Sequence, residues 1–223
     1  MTTTRRTTKG QADSNGEKPP VPKRKPGARK AEILDVAGDL FHRSGFHNVG
    51  MDDIGEAAGV TGPALYFHFQ SKTALLAAIM ERLADELVDV DRVIGAAKGP
   101  ADALHRLVEH QVEFALNQRE LIAVWIRDER SMPVADQRQL RERQRYYVGR
   151  WVETLLAYNP DLAPAEALSI VHGVFNFIAS IAFYEPKLDR AQLEELLVRK
   201  ATACLLDLNG RRKPPARAAK PPS

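Results

Sequence analysis

The stretch Val49–Lys72, VGMDDIGEAAGVTGPALYFHFQSK, decides the fold of the chain around it. Apolar residues at helical spacing predict a first short helix, which ends at Gly59, where a positive φ lets the backbone leave the helix. Thr61 stands at the N-cap position of a second short helix, and Pro63 stands in its first turn. The pattern predicts two short helices joined by a tight turn.

The second of these helices has a buried face and an aromatic one. Leu65 and Phe69 share the buried face because they are four residues apart. Tyr66 and His68, with Lys72 close behind, are suited to binding phosphate oxygens. Two short helices around a glycine turn are typical of a helix-turn-helix, whose second helix enters the DNA major groove. The alternative is an ordinary helical hairpin inside a core, which would not need the polar aromatic residues.

Three motifs make this pattern specific to one family: ILDVAGDLFHRSGF at 33–46, MDDIGEAAGV at 51–60 and TGPALYFHFQSKTALL at 61–76. The chain from about Ile33 to Met80 resembles the DNA-binding domain of the TetR/AcrR family of bacterial transcriptional regulators. The resemblance implies an all-α, nine-helix TetR-like fold. In such a fold a three-helix head with the helix-turn-helix precedes a helical domain for effector binding and dimerisation.

The resemblance also implies which residues meet DNA. Residues at the start of the second short helix are expected nearest the base edges, and Gly62 would allow close backbone approach. Ala64 stands where the family often has Ser or Thr, and its methyl group is expected near a thymine methyl. Phe67 is unusual for its position and is expected to pack against sugar or thymine methyl groups. The full predicted DNA-contact set is Arg29, Lys30, Met51, Thr61, Gly62, Pro63, Ala64, Tyr66, Phe67, His68 and Lys72.

Charge is distributed unevenly along the chain. Residues 1–30 carry nine Lys/Arg against two acids, and residues 209–223 carry five Lys/Arg and no acid. The segment 31–208 keeps 18 bases against 27 acids. Residues 1–28 and 209–223 are therefore predicted to be disordered basic tails. The first tail would be either a solubilising leader or an arm that follows the DNA backbone.

Other compositional features narrow the class of protein. The single cysteine, Cys204, excludes an internal disulfide and a multi-cysteine metal site, and no cofactor is predicted. No apolar run of about 18 residues lacks a polar interruption, and the N-terminus lacks a secretory signal. These features predict a cytoplasmic protein that does not span a membrane.

The rest of the chain keeps a helical pattern. We expect a head at 29–80 and a second domain at 81–208. Proline and Asn-Pro breaks delimit the helices after the head. The predicted helices are 28–44, 71–94, 101–117, 119–130, 134–158, 164–184 and 189–208. The helix at 164–184 is apolar nearly all round, so we expect it and the last helix to form an intersubunit four-helix bundle in a homodimer.

Polar residues among apolar ones suggest a small-molecule site in the second domain. The candidate contacts are His110, Phe114, Trp125, Arg127, His172 and Asn176. An apolar lining favours a lipophilic effector, with an acyl chain or acyl-CoA as one class. The arginine-rich segment 127–150 is expected to be an exposed ion-paired helix or, alternatively, a landing place for a phosphorylated group.

Together these features predict a regulator, most simply a repressor, that binds a pseudo-palindromic DNA operator as a dimer and leaves it when the effector binds. One alternative is an architectural DNA-binding protein without sequence choice. A second is an all-helical enzyme, but no nucleophile, phosphate-loop or metal-ligand motif supports it, so no catalytic residue is predicted.

Overall fold

The computed structural model describes residues 27–87 and 89–207, so most of the predicted N-terminal tail and the whole C-terminal tail lie outside the described residues. Within these ranges the chain forms α-helices and no strand. The helices are α1 (Ala28–Ser44), α2 (Met51–Ala58), α3 (Gly62–His68), α4 (Lys72–Asp85), α5 (Val90–Gly95), α6 (Pro100–Asn117), α7 (Arg119–Asp128), α8 (Val134–Tyr158), α9 (Pro164–Ala179) and α10 (Arg190–Leu206). Short 3-10 turns follow α1, α7 and α9 at Phe46–Asn48, Glu129–Ser131 and Ser180–Phe183.

The predicted all-α, TetR-like architecture is confirmed, and most helices begin and end within a few residues of the predicted bounds. The prediction of one continuous helix over 71–94 is wrong. The structure divides it, because α4 ends at Asp85 and α5 begins at Val90. If α4 and α5 are counted as one interrupted helix, the described residues contain the nine predicted helices.

The first three helices form the head. Ile33 and Phe41 of α1, Ile54 of α2 and Leu65 of α3 are fully or almost fully buried against one another. Helix α4 leaves the head with Ser71 as its N-cap, whose side-chain oxygen accepts the N–H of residue 74 at 3.1 Å. This cap satisfies one of the free N–H groups of the first turn and fixes where α4 starts.

The second domain is built around α6 and α8. Helix α6 packs against α5, α8 and α10, while α8 also packs against α4 and α9. Trp151 of α8 is fully buried and meets the ring of Phe175 of α9 edge-on, with 4.9 Å between the ring centroids. The apolar core is continuous from the head into this domain, so a change at one end can affect the packing at the other.

Helix α9 is apolar on more sides than this domain covers. Over Pro164–Phe183 the mean hydropathy is 1.5, and 28% of the stretch is buried. Length and composition alone would allow this described segment to cross a membrane. Its inner residues nevertheless belong to the core, namely Ala167, Val171, Val174 and Ile178. We therefore interpret α9 as a core helix with one uncovered apolar face.

Candidate DNA-reading helix and effector cavity

Helix α3 is anchored by apolar side chains on one side only. Leu65 and the following Phe69 are buried in the core of the head. Gly59 has a φ of 62°, and its N–H donates to the last turn of α2, so the chain turns sharply there as predicted. Thr61 precedes α3 in an extended conformation, but its side chain makes no capping hydrogen bond. The turn between the two helices is thus set by the glycine and by burial.

The opposite side of α3 faces solvent. Tyr66 is 51% exposed and Phe67 is 86% exposed. The ring of Phe67 meets the ring of His68 edge-on, with 5.4 Å between centroids. The other predicted contacts at the start of this helix are half-buried or exposed: Thr61, Gly62, Pro63 and Ala64. The structure thus brings these predicted DNA-contact residues of α3 together on one accessible surface.

Lys72 has a structural role that the sequence did not indicate. Its ammonium group donates to the carbonyl oxygens of Phe46 at 2.8 Å and Val49 at 2.7 Å. The same nitrogen lies 4.5 Å from the centroid of the Phe46 ring, within range of a cation–π interaction. Lys72 therefore ties the start of α4 to the loop between α1 and α2, and contact with DNA phosphate stays a prediction.

Arg29, like Lys72, donates hydrogen bonds to backbone carbonyls of the head. Its guanidinium donates to the carbonyls of Ala58 at 2.9 Å and Gly59 at 2.6 Å, and it also pairs with Glu32 at 2.7 Å. These bonds satisfy carbonyls that the end of α2 would leave free. Arg29 therefore joins α1 to the turn before α3. Lys30 is exposed, and its ammonium lies 5.6 Å from the Phe69 ring.

Met51 begins α2 as predicted and is half-buried. The residue before it, Gly50, donates its N–H to the carboxylate of Asp53 at 2.7 Å. This contact closes the first turn of α2 and places two acids, Asp52 and Asp53, beside the N–H groups that the turn leaves free. A backbone contact of Met51 with DNA stays a prediction.

A cavity of about 570 Å³ is lined by residues of six consecutive helices, α4 to α9. Four of the six predicted effector contacts line it: Phe114, Trp125, His172 and Asn176. The other lining residues are mainly apolar, as expected for a small-molecule site. They include Leu83, Leu87, Val90, Ile122, Ile126, Leu140 and Phe175.

His110 and Arg127 lie outside the lining of this cavity. The Nδ1 atom of His110 is buried without a hydrogen-bond partner among the described residues. Arg127 points towards the head, where it donates to the carbonyl of Phe41 at 2.6 Å, and it also pairs with the buried Asp128 at 2.8 Å. The proposed effector site therefore excludes both residues. The sequence could not show that Arg127 turns away from the cavity, because periodicity does not say which neighbour a polar side chain on a packed helix reaches.

Polar residues that the sequence did not single out also line the cavity. The hydroxyl of Tyr147 donates to the amide oxygen of Gln111 at 2.9 Å, and burial raises the pKa of Tyr147 above its ordinary value. Arg143 pairs with Asp85 of α4 at 2.6 Å. The sequence did hold one signal for such cavity residues, namely a polar residue on an otherwise apolar helix face. Gln111, which lies between Val108 and Val112, is an example.

Helix α5 is tied to α8 near the cavity. Asp91 accepts hydrogen bonds from the hydroxyl of Tyr146 and, at 2.7 Å, from Arg150. The bond from Tyr146 is the main cause that holds the pKa of the Asp91 carboxyl below its ordinary value, and Arg150 adds to it. Tyr146 and Val90 both line the cavity, so this tether closes one of its walls.

Comparison with known proteins relates the head to one family. The family model of bacterial regulatory proteins of the tetR family matches residues 33–79, which cover most of α1 to α4. These residues form a TetR-family domain. The transcriptional activator FasR of Mycolicibacterium smegmatis is 39% identical over 83 residues, which are 34% of this chain and 38% of that protein. The chain thus matches well under half of this relative's length.

Solved structures extend the TetR-family likeness to the whole fold. A TetR-family regulator from Bordetella parapertussis aligns with a TM-score of 0.73 over 82% of this chain and 96% of that one, at 21% identity. AibR, crystallised with isovaleryl coenzyme A and operator DNA, aligns with a TM-score of 0.67 over 80% and 98%, at 20% identity. These two likenesses concern the fold. The members of the TetR family matched here are DNA-binding transcriptional regulators, a class distinct from enzymes.

Proposed function

We propose that the protein is a cytoplasmic transcriptional regulator, most simply a repressor, that binds a pseudo-palindromic operator as a homodimer. The observation that carries the proposal is the asymmetry of α3 within the TetR-like segment. Leu65 is buried, whereas Tyr66 and Phe67 project into solvent from the three-helix head. A short helix that is buried on one face and exposed on the other can enter a major groove without rearrangement.

An uncovered apolar surface supports the proposed dimer. Helices α9 and α10 share a shallow groove of about 620 Å³ lined by Phe177, Leu196 and Cys204, among others. Leu168 on α9 and Phe183 just beyond it are also exposed apolar residues. A second copy of the chain would cover this surface symmetrically and present two copies of α3 to one duplex. We assign residues 29–80 to DNA binding and 81–208 to dimerisation and effector binding.

The cavity supports a small, lipophilic effector, and an acyl-CoA is one candidate class. Its walls are mainly aliphatic and aromatic, while His172, Asn176 and the Tyr147–Gln111 pair provide hydrogen-bonding groups. Of the arginine-rich segment 127–150, Arg143 lines the cavity, where a phosphorylated group would find a cation. Other arginines of α8 form ion pairs on the exposed surface. These pairs favour the ion-paired helix over a binding site for a phosphorylated group along the whole segment.

Helix α7 offers a route from the cavity to the head. Ile122 and Trp125 line the cavity. On the side that faces the head, Arg127 donates a hydrogen bond to the carbonyl of Phe41, near the end of α1. Leu121 packs against Gly38 of α1 so closely that a Cβ added to Gly38 would lie 2.7 Å from the Leu121 side chain. An effector that displaces α7 would therefore move α1, and differential binding to the two arrangements would shift DNA affinity.

Selection of binding sites from random-sequence DNA, followed by footprinting, tests the function. The regulator should protect one two-fold symmetric site, and acyl-CoAs or free lipids added to the complex should be screened for release. Uniform protection along the DNA would favour the architectural alternative. Failure to enrich any sequence would reject the proposed operator recognition.

A further inference from the structure

Helix α3 has an unusual chemical character for a helix that reads bases. None of its seven residues, Gly62–His68, is Asp, Glu, Asn, Gln, Lys or Arg. Those six side-chain types make the hydrogen bonds that best distinguish base pairs in the major groove, and the bidentate pairs rely on Arg, Lys, Asn and Gln. The bidentate hydrogen bonds that identify guanine and adenine are therefore not available to the side chains of α3.

Arg29 and Lys72, two basic residues near α3, do not supply these hydrogen bonds. The cations of Arg29 and Lys72 donate to carbonyl oxygens inside the head. The first amide side chain after the helix, Gln70, lies roughly two helical turns beyond Pro63. Gln70 follows the end of α3 at His68 and the buried Phe69, so it lies outside the helix that would enter the groove.

The apolar surface of α3 is instead concentrated on its outer side. Phe67 comes four residues after Pro63 and three after Ala64, so it shares a helix face with both, and all three are exposed. Phe67 is the most exposed large apolar residue described. It lies on the opposite side of α3 from the buried Leu65, because a step of two residues rotates a helix by about 200°.

We propose that this apolar patch, Pro63, Ala64 and Phe67, recognises the 5-methyl groups of thymine in the operator half-site, with Phe67 as the main specificity-determining residue. This inference rests on the proposed function. The thymine methyl is the apolar group that base pairs display in the major groove, and Ala and Phe are suited to contact it. Burial against it removes the Phe67 ring from water, which is favourable in proportion to the apolar area covered.

Replacing thymine by deoxyuridine tests the proposal, because the substitution removes the methyl group and keeps every base-pairing hydrogen bond. Operator DNA from the selection above is prepared with deoxyuridine at single thymines and at symmetric pairs. Dissociation constants are measured for the full-length wild type, Phe67→Ala, Phe67→Leu and the control Val134→Ala, an exposed apolar residue on α8.

For the wild type and Val134→Ala, loss of the contacted methyl should weaken binding about three- to fourfold at one half-site and about tenfold at both. Phe67→Ala should bind the thymine and deoxyuridine operators equally, and Phe67→Leu should show an intermediate ratio. Thymines outside the protected half-sites should give a ratio of one in all proteins.

Two results would overturn the inference while leaving the proposed function intact. In the first, the wild type binds the selected operator specifically but loses no affinity with deoxyuridine at any thymine. In the second, Phe67→Ala keeps the wild-type ratio of affinities for thymine and deoxyuridine operators, which would assign the methyl contact to another residue. A wild type that selects no operator at all would remove the proposed function and the inference together.

Discussion

At the scale of single residues, the head is held by charged donors that satisfy backbone carbonyls. Arg29 reaches the end of α2, and Lys72 reaches the loop before it. Both positions are basic, and basic residues in a DNA-binding head are readily interpreted as phosphate contacts. Sequence shows that a charge is present but not which oxygen it meets, so this structural role could not be predicted from the motif.

Lys72→Met should lower the free energy of unfolding by about 1 to 3 kcal/mol, because the carbonyls of Phe46 and Val49 lose a charged donor. Urea unfolding followed by circular dichroism measures the change. The control Lys98→Met alters an exposed lysine outside the head and should change stability by no more than about 0.5 kcal/mol. Equal stability of the two variants would contradict the structural role of Lys72.

Gly62→Ala should separate DNA contact from folding. A Cβ added to Gly62 meets no atom within 4 Å, so the free protein should change in stability by less than about 0.5 kcal/mol. The methyl group would stand between the α3 backbone and the bases, so operator affinity should fall. Gly149→Ala, where the added Cβ also meets nothing, should leave affinity unchanged. If Gly62→Ala binds the operator as tightly as the wild type, the α3 backbone does not approach the bases closely at Gly62.

At the scale of helices, the sequence predicted what each helix is but not always where it breaks. Leu83, Leu87 and Val90 continue one helical repeat, so the pattern of 71–94 looked uninterrupted. The structure instead uses all three as walls of the cavity and starts α5 next to Asp89, whose carboxylate pairs with Arg92 at 2.6 Å. A cavity leaves no periodic signal of its own, because the residues around it are as apolar as those of a filled core.

Helix α7 should depend on Arg127 for its attachment to the head. Arg127→Ala removes the bond to the Phe41 carbonyl and leaves Asp128, which is 4% exposed, without its partner. We expect a loss of about 1 to 3 kcal/mol in the free energy of unfolding. The additional change Asp128→Ala should recover part of it, because no buried carboxylate then remains unpaired.

The matched control for this prediction is Arg138→Ala, which breaks an ion pair on the surface of α8. That pair is screened by solvent, so its loss should cost less than about 1 kcal/mol. Thermal unfolding at one protein concentration compares the variants. If Arg127→Ala and Arg138→Ala lower the stability by the same amount, the link between α7 and α1 stabilises the protein no more than a surface ion pair does.

At the scale of the whole molecule, we propose that the uncovered face of α9 and α10 joins two subunits. Phe177→Arg should yield a monomer by light scattering at micromolar concentration, because a cation would be buried at the centre of the proposed interface. The chain should stay folded, since Phe177 is 38% exposed in the single subunit. Operator affinity should fall because one copy of α3 covers only one half-site.

Val134→Arg is the control, since Val134 is exposed at the start of α8, outside the proposed interface. It should remain dimeric and bind the operator like the wild type. If Phe177→Arg stays dimeric while folded, another surface must join the subunits.

The overall architecture could be predicted because the head motif is specific and the proline breaks delimit long helices. Of the six predicted effector contacts, Phe114, Trp125, His172 and Asn176 line the cavity, and their contact with an effector stays a prediction. The other two, His110 and Arg127, lie away from its lining, on helices that pack on several sides. On such helices, which neighbour a polar side chain reaches depends on tertiary packing.

The central claim is that two outward-facing copies of α3 read one duplex, and a hydroxyl-radical footprint on a selected operator tests it most directly. We expect two protected tracts related by a two-fold axis, with centres about one helical turn apart or at a related spacing. Both tracts should weaken together in Phe67→Ala. A single asymmetric tract, or protection spread evenly along the fragment, would contradict the reading of one duplex by two copies of α3.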